Sequence, residues 1–369
     1  MRKLFFKVRE YISLFSLIVF LLTVVSIVLY RIVVSNVAFA DFFNYNLSAP
    51  VRLFMAKLTV VLPFSLAEIF VFSSPLLLAI LIFLAIKNGR KGKKSSIKFL
   101  FVLLAIICLL FVLFVWTYSS GYHTSPIEDK MNLDRGSLSK EELYASSQII
   151  ANELNELCKD VNYDESGAST HPYSYDEMSQ LICTGYSNFA NKYGVLRTFS
   201  SRIKPLLVSE PLTYTHLSGI YTFMTGEANI NSNYPDFIIA SSSAHELAHQ
   251  RGIAREDEAN FIAFAVLLET NDSFLKYCAY LDVYSNVLND LYSADKDLYF
   301  DVVSKVDERV LNDLRSYSRF FEKYANSKAS EVVDSVNDSY LQANGQENGT
   351  KSYGMITELV CAYLLNKQK

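Results

Sequence analysis

The sequence predicts an α-helical membrane anchor of three transmembrane helices, residues 1–118, followed by a mainly α, α+β extracytoplasmic domain, residues 119–369. Three observations carry this reading. Long apolar stretches are confined to the first third of the chain, the charge balance reverses near Tyr118, and capped, helically periodic segments fill the remainder. The whole-chain values, a formal net charge of −4 and a mean hydropathy of +0.17, average two unlike parts. Residues 1–118 hold 13 Lys+Arg against 3 Asp+Glu, a net of +10, and the rest holds 21 against 35, a net of −14. The basic part is also the apolar part, so a lipid bilayer is the expected partner and no nucleic acid is.

Tyr11–Tyr30 (YISLFSLIVFLLTVVSIVLY) carries no charge, and Ile97–Tyr118 carries only Lys98 at its edge. About 20 apolar residues as a helix cross a hydrocarbon core of roughly 30 Å. Phe64–Ile86 is read as the other span, with Glu68 near its start needing a partner or an interfacial position. The first apolar run is too long for a signal peptide, whose apolar region is about 7–15 residues. Arg2, Lys3, Lys7 and Arg9 precede the first span, and Arg90, Lys91, Lys93, Lys94 and Lys98 cluster in the connector at 87–98. The connector at 31–63 has only Arg31, Arg52 and Lys57. Basic short loops stay inside, so this multi-pass cell-membrane protein is expected to have its N-terminus cytoplasmic and residues 119–369 extracytoplasmic. Val51–Val61 is expected to lie amphipathically in the interface.

Beyond Tyr118, Ser139…Glu142 and Ser174…Glu177 fit capping boxes opening helices over about 140–160 and 175–193, the latter stopped by Gly194. Apolar spacing of three and four predicts further helices over 274–291, 298–324 and 355–366. Mixed β-branched and aromatic residues between 195 and 240 predict one or two short strands, then a loop over 231–236, and residues 344–354 read as a polar loop. Cys158, Cys183, Cys278 and Cys361 lack paired spacing and are expected as buried thiols, with disulfides among them left open.

The chemistry concentrates in Ser243–Phe264, SAHELAHQRGIAREDEANFIAF. His245 and His249 are four apart, so on a helix both imidazoles face one spot and can hold one Zn²⁺. Glu246 beside the first His is placed to act as general base on a zinc-activated water. Catalytic zinc needs a third protein ligand, and Glu256 or Glu258 can supply it. On a straight helix Glu256 would lie about 10.5 Å beyond His249, so the metal reading requires the chain to turn at Gly252.

HExxH followed by ExxAN resembles the gluzincin metallopeptidases, a resemblance that implies a zincin-like domain with Glu256 as third ligand and Asn260 as a supporting partner. The HExxHxxG portion is similar to metzincins, but Arg255 occupies the position of their third His. Three N-terminal spans, TGEANIN at 225–231, the segment at 245–264 and SYLQANGQ…SYG at 339–354 together resemble a bacterial membrane family of unknown function, which implies a membrane-anchored zinc peptidase without naming a substrate. As a substrate-binding edge strand the sequence offers Gly226, Glu227, Ala228 and Asn229, and as oxyanion donors Tyr353, His216 and Arg255. The expected function is therefore hydrolysis of peptide or protein substrates of the cell envelope. The alternative is a non-catalytic zinc-binding sensor or cell-envelope binding protein on the same scaffold, which would have no need of Glu246.

Overall fold

The structure, a computed structural model, describes residues 9–367; Arg2, Lys3 and Lys7 of the basic N-terminal cluster lie outside the described residues. Helices dominate, with two small sheets. Three helices are long and apolar enough to span a bilayer: α1 (Leu14–Ser35), α4 (Leu66–Arg90) and α5 (Lys93–Thr117). Ser13 and Ser65 cap the first two by accepting from the N–H of Ser16 and Glu68, and Gly92, at φ 105°, permits the tight turn into α5. The span containing Pro75 runs as one continuous helix. α1 packs along α5 through edge-on pairs Phe20–Phe101 and Tyr30–Phe111 and a Trp116 Nε1–H bond to Ser26 Oγ of 3.0 Å.

The connector at 31–63 is itself helical: α2 (Val37–Phe43), a π turn (Asn44–Ser48) and α3 (Ala49–Thr59). Phe54, Leu58 and Val61 are exposed, while Arg52 on the other side is 1% exposed.

α6 (Ile127–Met131) leads into the C-terminal part of the chain. Both capping boxes form, at the starts of α7 (Lys140–Leu157) and α8 (Tyr175–Tyr193), and Gly194 ends α8 in the left-handed conformation. A small hairpin of β1 (Asn162–Tyr163) and β2 (Ser169–Thr170) joins them. The second sheet has the order β3 (Ile203–Pro205), β5 (Glu227–Ile230), β4 (Gly219–Thr222), with β3 parallel and β4 antiparallel to β5. A short α9 (Ser209–Thr213) precedes β4.

Next come α10 (Asp236–Gln250), α11 (Glu256–Leu268) and α12 (Ser273–Ala294), buried along most of their length. They share one apolar core with α7, α8 and the last helix α16 (Thr357–Asn366). The segment expected as one helix over 298–324 divides into α13 (Lys296–Val303) and α14 (Glu308–Glu322), because Asp307 caps a new start through the Arg309 N–H. α15 (Lys328–Ala343) was not expected, and part of the 344–354 loop winds into a 3₁₀ turn at Gly349–Gly354. All five cysteines are free thiols.

Side chains cross residue 118 in both directions. Glu227 of β5, 1% exposed, accepts from Leu66 N–H and Ala67 N–H at 3.1 Å each, closing the first turn of α4. It also pairs with Lys204 of β3, whose Nζ donates to the carbonyls of Thr59 and Phe64. In return, Glu68 of α4 accepts from Leu207 N–H (3.1 Å) and Val208 N–H (2.9 Å). Those two amides are the partner expected for Glu68 from the sequence.

Candidate metal centre

α10 places His245 and His249 on one face, and its C-terminus supplies the turn. Gly252 N–H donates to His249 O (2.9 Å) and Ile253 N–H to Ala248 O (3.1 Å), a Schellman motif with Gly252 at φ 96°. The chain reverses there, and α11 starts at Glu256 with its carboxylate directed back at the imidazoles. Glu256 Oε2 lies 3.3 Å from Nε2 of His245 and 3.3 Å from Nε2 of His249. The turn required of Gly252 is thus present, and the three groups are the one metal-competent His/Cys/Asp/Glu cluster among the described residues.

The donor chemistry fits a small divalent cation. His249 Nδ1 faces the Ile253 carbonyl at 2.7 Å, with the Tyr118 hydroxyl at 3.0 Å. A carbonyl can only accept, so Nδ1 carries the proton and Nε2 of the neutral ring presents a lone pair. Glu256 Oε2 is buried and has no hydrogen-bond partner, although two imidazole nitrogens face it. A tetrahedral ion with bonds of about 2.0–2.1 Å separates its ligands by about 3.3–3.4 Å, which matches the two Glu256–imidazole distances, and all three ligand atoms lie within 4.8 Å of one another.

Electrostatics agree. Burial would raise the Glu256 carboxyl, but His249 and His245 overcome it and hold Glu256 down at about 2. Burial would likewise lower His249, yet Glu256 and Glu246 push it up to about 9. The carboxylates thus favour a positive charge, a proton or a cation, between these groups. On α12, half-buried Asp282 is raised by desolvation and drawn down by the Ser241 hydroxyl, 3.2 Å away, and by the charge of His245.

Glu246 sits beside the cluster against β4. Gly219 passes so close that a Cβ there would lie 2.7 Å from Glu246 Cγ and 2.8 Å from Oε1. Asn231 N–H donates to Ser218 O, which makes Ser218, Ile220 and Thr222 the positions paired to β5. Gly219 and Tyr221 then direct their backbone groups to the open edge. The Tyr221 N–H meets the Glu246 carboxylate there. Burial pushes the Glu246 carboxyl up, against the pull of His245 and His249, and Glu256 adds to the rise.

The other sequence-predicted residues separate. Gly226, Glu227, Ala228 and Asn229 are not an edge: β5 has β3 on one side and β4 on the other. Glu227 faces the spanning helix, Asn229 donates to Ile220 O and Thr222 Oγ1, and the Gly226 carbonyl accepts from Gln250. The edge beside Glu246 is β4. Glu258 is turned away, accepting from Arg255 Nη2 (2.5 Å) and Ile127 N–H (2.9 Å), so Glu256 alone of the two faces the imidazoles.

Arg255 is thereby committed to Glu258 and the Ser125 carbonyl. His216 bonds the Tyr324 carbonyl at 2.9 Å through Nε2. Tyr353 stacks on His245 at 6.3 Å between ring centroids. Burial and the carboxylates of Glu256 and Glu246 raise its hydroxyl, keeping it a proton donor. Asn260 donates to the Tyr353 carbonyl (3.1 Å), so it supports the site through Tyr353 rather than through a ligand.

Four contributors escaped sequence reasoning: Gly219, Tyr118, Asp282 and Arg52. Arg52 Nη2 donates to the carbonyls of Arg251 (3.2 Å) and Asn44, and Nη1 to Thr117 O (2.8 Å) and Asn44 Oδ1. Asn44 in turn donates to Gly252 O (3.1 Å). The connector thus grips the turn that delivers Glu256.

No curated protein and no solved structure matches this chain. A family model described as a protein of unknown function (DUF3810) matches residues 43–361, from the buried Phe43 of the connector to Cys361 of the last helix, and the chain belongs to that family.

Proposed function

We propose that this chain is a membrane-bound zinc metallopeptidase of a zincin-like, gluzincin-like kind that hydrolyses peptide bonds outside the cytoplasm. The supporting observation is the convergence of His245 and His249 on Glu256 Oε2, 3.3 Å from each Nε2, with Glu246 against the edge strand β4. His245, His249 and Glu256 would hold the zinc, which when bound supplies Lewis acidity toward water and a substrate carbonyl.

The remaining roles belong to protein groups. An extended substrate adds to β4 through the backbone groups of Gly219 and the carbonyl of Tyr221, which point away from β5. Glu246, its carboxyl raised by burial, takes a proton from the attacking water and delivers it to the leaving amine as the C–N bond breaks and the new C–O bond forms. The Tyr353 hydroxyl is placed to donate to the oxygen on which negative charge develops. Asn260 holds Tyr353 at its carbonyl.

The test is metal content and hydrolysis of the purified full-length protein, wild type against Glu246→Gln. One zinc per chain in both, with hydrolysis lost only in the variant, is expected. Folded wild type that binds no zinc refutes the reading. Zinc binding with a cellular phenotype unchanged by Glu246→Gln favours the non-catalytic sensor.

A further inference from the structure

The cluster lies at the end of a spanning helix. α5 ends at Thr117, and the next residue, Tyr118, places its hydroxyl 3.0 Å from Nδ1 of His249. One turn earlier, Phe114 packs edge-on against Phe223 of the β4–β5 hairpin (5.5 Å) and against Tyr340 of α15 (6.4 Å). The hairpin, whose strand β4 lies against Glu246, and α15 converge on a residue of the span.

Each also presents uncovered apolar side chains. On α15, Val332, Val336 and Tyr340 recur every four residues on one exposed face ending at Phe114. On the hairpin, Ile220 and Met224 are both 45% exposed. The hairpin end abuts helix α3, where a Cβ at Gly226 would lie 2.7 Å from Met55 Cβ. The free edge of β4 therefore runs from Glu246, beside Gly219 and Tyr221, down to Phe223 at the bilayer end of α5. At about 3.3 Å per residue, two to four strand residues separate the Glu246 end from the membrane end.

Resting on the peptidase reading, we propose that the substrate is a polypeptide tethered to the same membrane, cut within about six residues of its anchor. A strand laid on β4 has one end delivered to the bilayer at Phe223, and the apolar faces of α15 and the hairpin match a juxtamembrane segment. A soluble peptide would have to place that same end against lipid without an anchor to hold it there.

The experiment uses full-length zinc-loaded protein in phosphatidylcholine–phosphatidylglycerol vesicles. Palmitoylated peptides carrying a 24-residue randomised segment directly after the lipid, anchored at either end, are compared with the same peptides unanchored, and cleaved bonds are mapped by mass spectrometry. Cleavage clustered within about six residues of the anchor, in at least one orientation and at least tenfold faster than for free peptide, is expected. Cleavage spread evenly along the segment, or equally fast on free peptide, overturns the substrate class and leaves the peptidase reading standing. Zinc-loaded wild type that cuts none of these peptides refutes both. Glu246→Gln protein supplies the background rate.

Discussion

Replacing Gly252 with Ala tests whether the turn makes the metal site. Gly252 sits at φ 96°, and a Cβ there would overlap Arg52 Nη2, lie 2.5 Å from Arg52 Cζ and 2.8 Å from Asn44 Oδ1. The backbone strain costs about 1–3 kcal/mol. Displacing Arg52 removes one or two charge-assisted hydrogen bonds, at about 1.5–3 kcal/mol each. The sum, about 3–9 kcal/mol, is comparable with the whole stability of many domains.

Part of that strain can be relieved only by opening the turn, which withdraws Glu256 from the imidazoles. The expected result is a melting temperature lower by about 10 °C or more and a zinc Kd weakened at least tenfold in chelator competition. Gly252→Ala combined with Arg52→Met removes the clash but keeps the strain, so the pair should be non-additive by about 1–3 kcal/mol. A Gly252→Ala protein with unchanged Kd and a melting temperature within about 2 °C of wild type would refute the reasoning.

Three further outcomes are expected. Glu256→Gln removes the anionic ligand and should weaken zinc binding by about 10²-fold or more in the same chelator competition, whereas Glu258→Gln should leave zinc affinity within about threefold. Gly219→Ala should retain zinc but lower hydrolysis by about 10²-fold, because its Cβ displaces Glu246; unchanged kcat in a peptide assay contradicts that placement.

Zinc binding must displace the His249 proton. With His249 raised to about 9 without metal and Glu256 already ionised above about 2, apparent affinity should rise about tenfold per pH unit from the ordinary His range to about 9. It should then level off, and titration calorimetry in buffers of different ionisation enthalpy should show one proton released per zinc below that point. A pH-independent affinity between about 6.5 and 8.5 rules this out.

What was legible in the sequence was local. The spans follow from composition, the capping boxes from residues three apart, and the pair of imidazoles from residues four apart on one helix. Even the approach of Glu256 to the imidazoles could be argued, because a straight helix carries it out of reach and Gly252 offers the escape. What was not legible came from distant pairings. β5 reads as an edge until β3 is known, and β3 is three residues ending in Pro205 that pair in parallel across an intervening β4.

Nothing near Arg52 announces that its guanidinium will bind the carbonyl of Arg251, 199 residues away. Tyr118 read as the last residue of a span, and Asp282 as one acid on a helix. α15 is polar overall, with two exposed valines, so it offered no amphipathic stripe of the usual kind.

The closure of α4 by Glu227 has a consequence for biogenesis. Glu227 lies 161 residues after Leu66, so at about 5–20 residues per second the ribosome needs roughly 10–30 s to supply it. During that interval the first amides of an already inserted helix have no protein acceptor. Hydrocarbon offers them none, so the helix must wait with that end hydrated at the surface. Assembly then proceeds in two stages: insertion with a water-capped helix, followed by replacement of that water by a carboxylate and its lysine once the sheet has folded. Glu227 and Lys204 thus join the start of α4 only after the chain through β5 has been made.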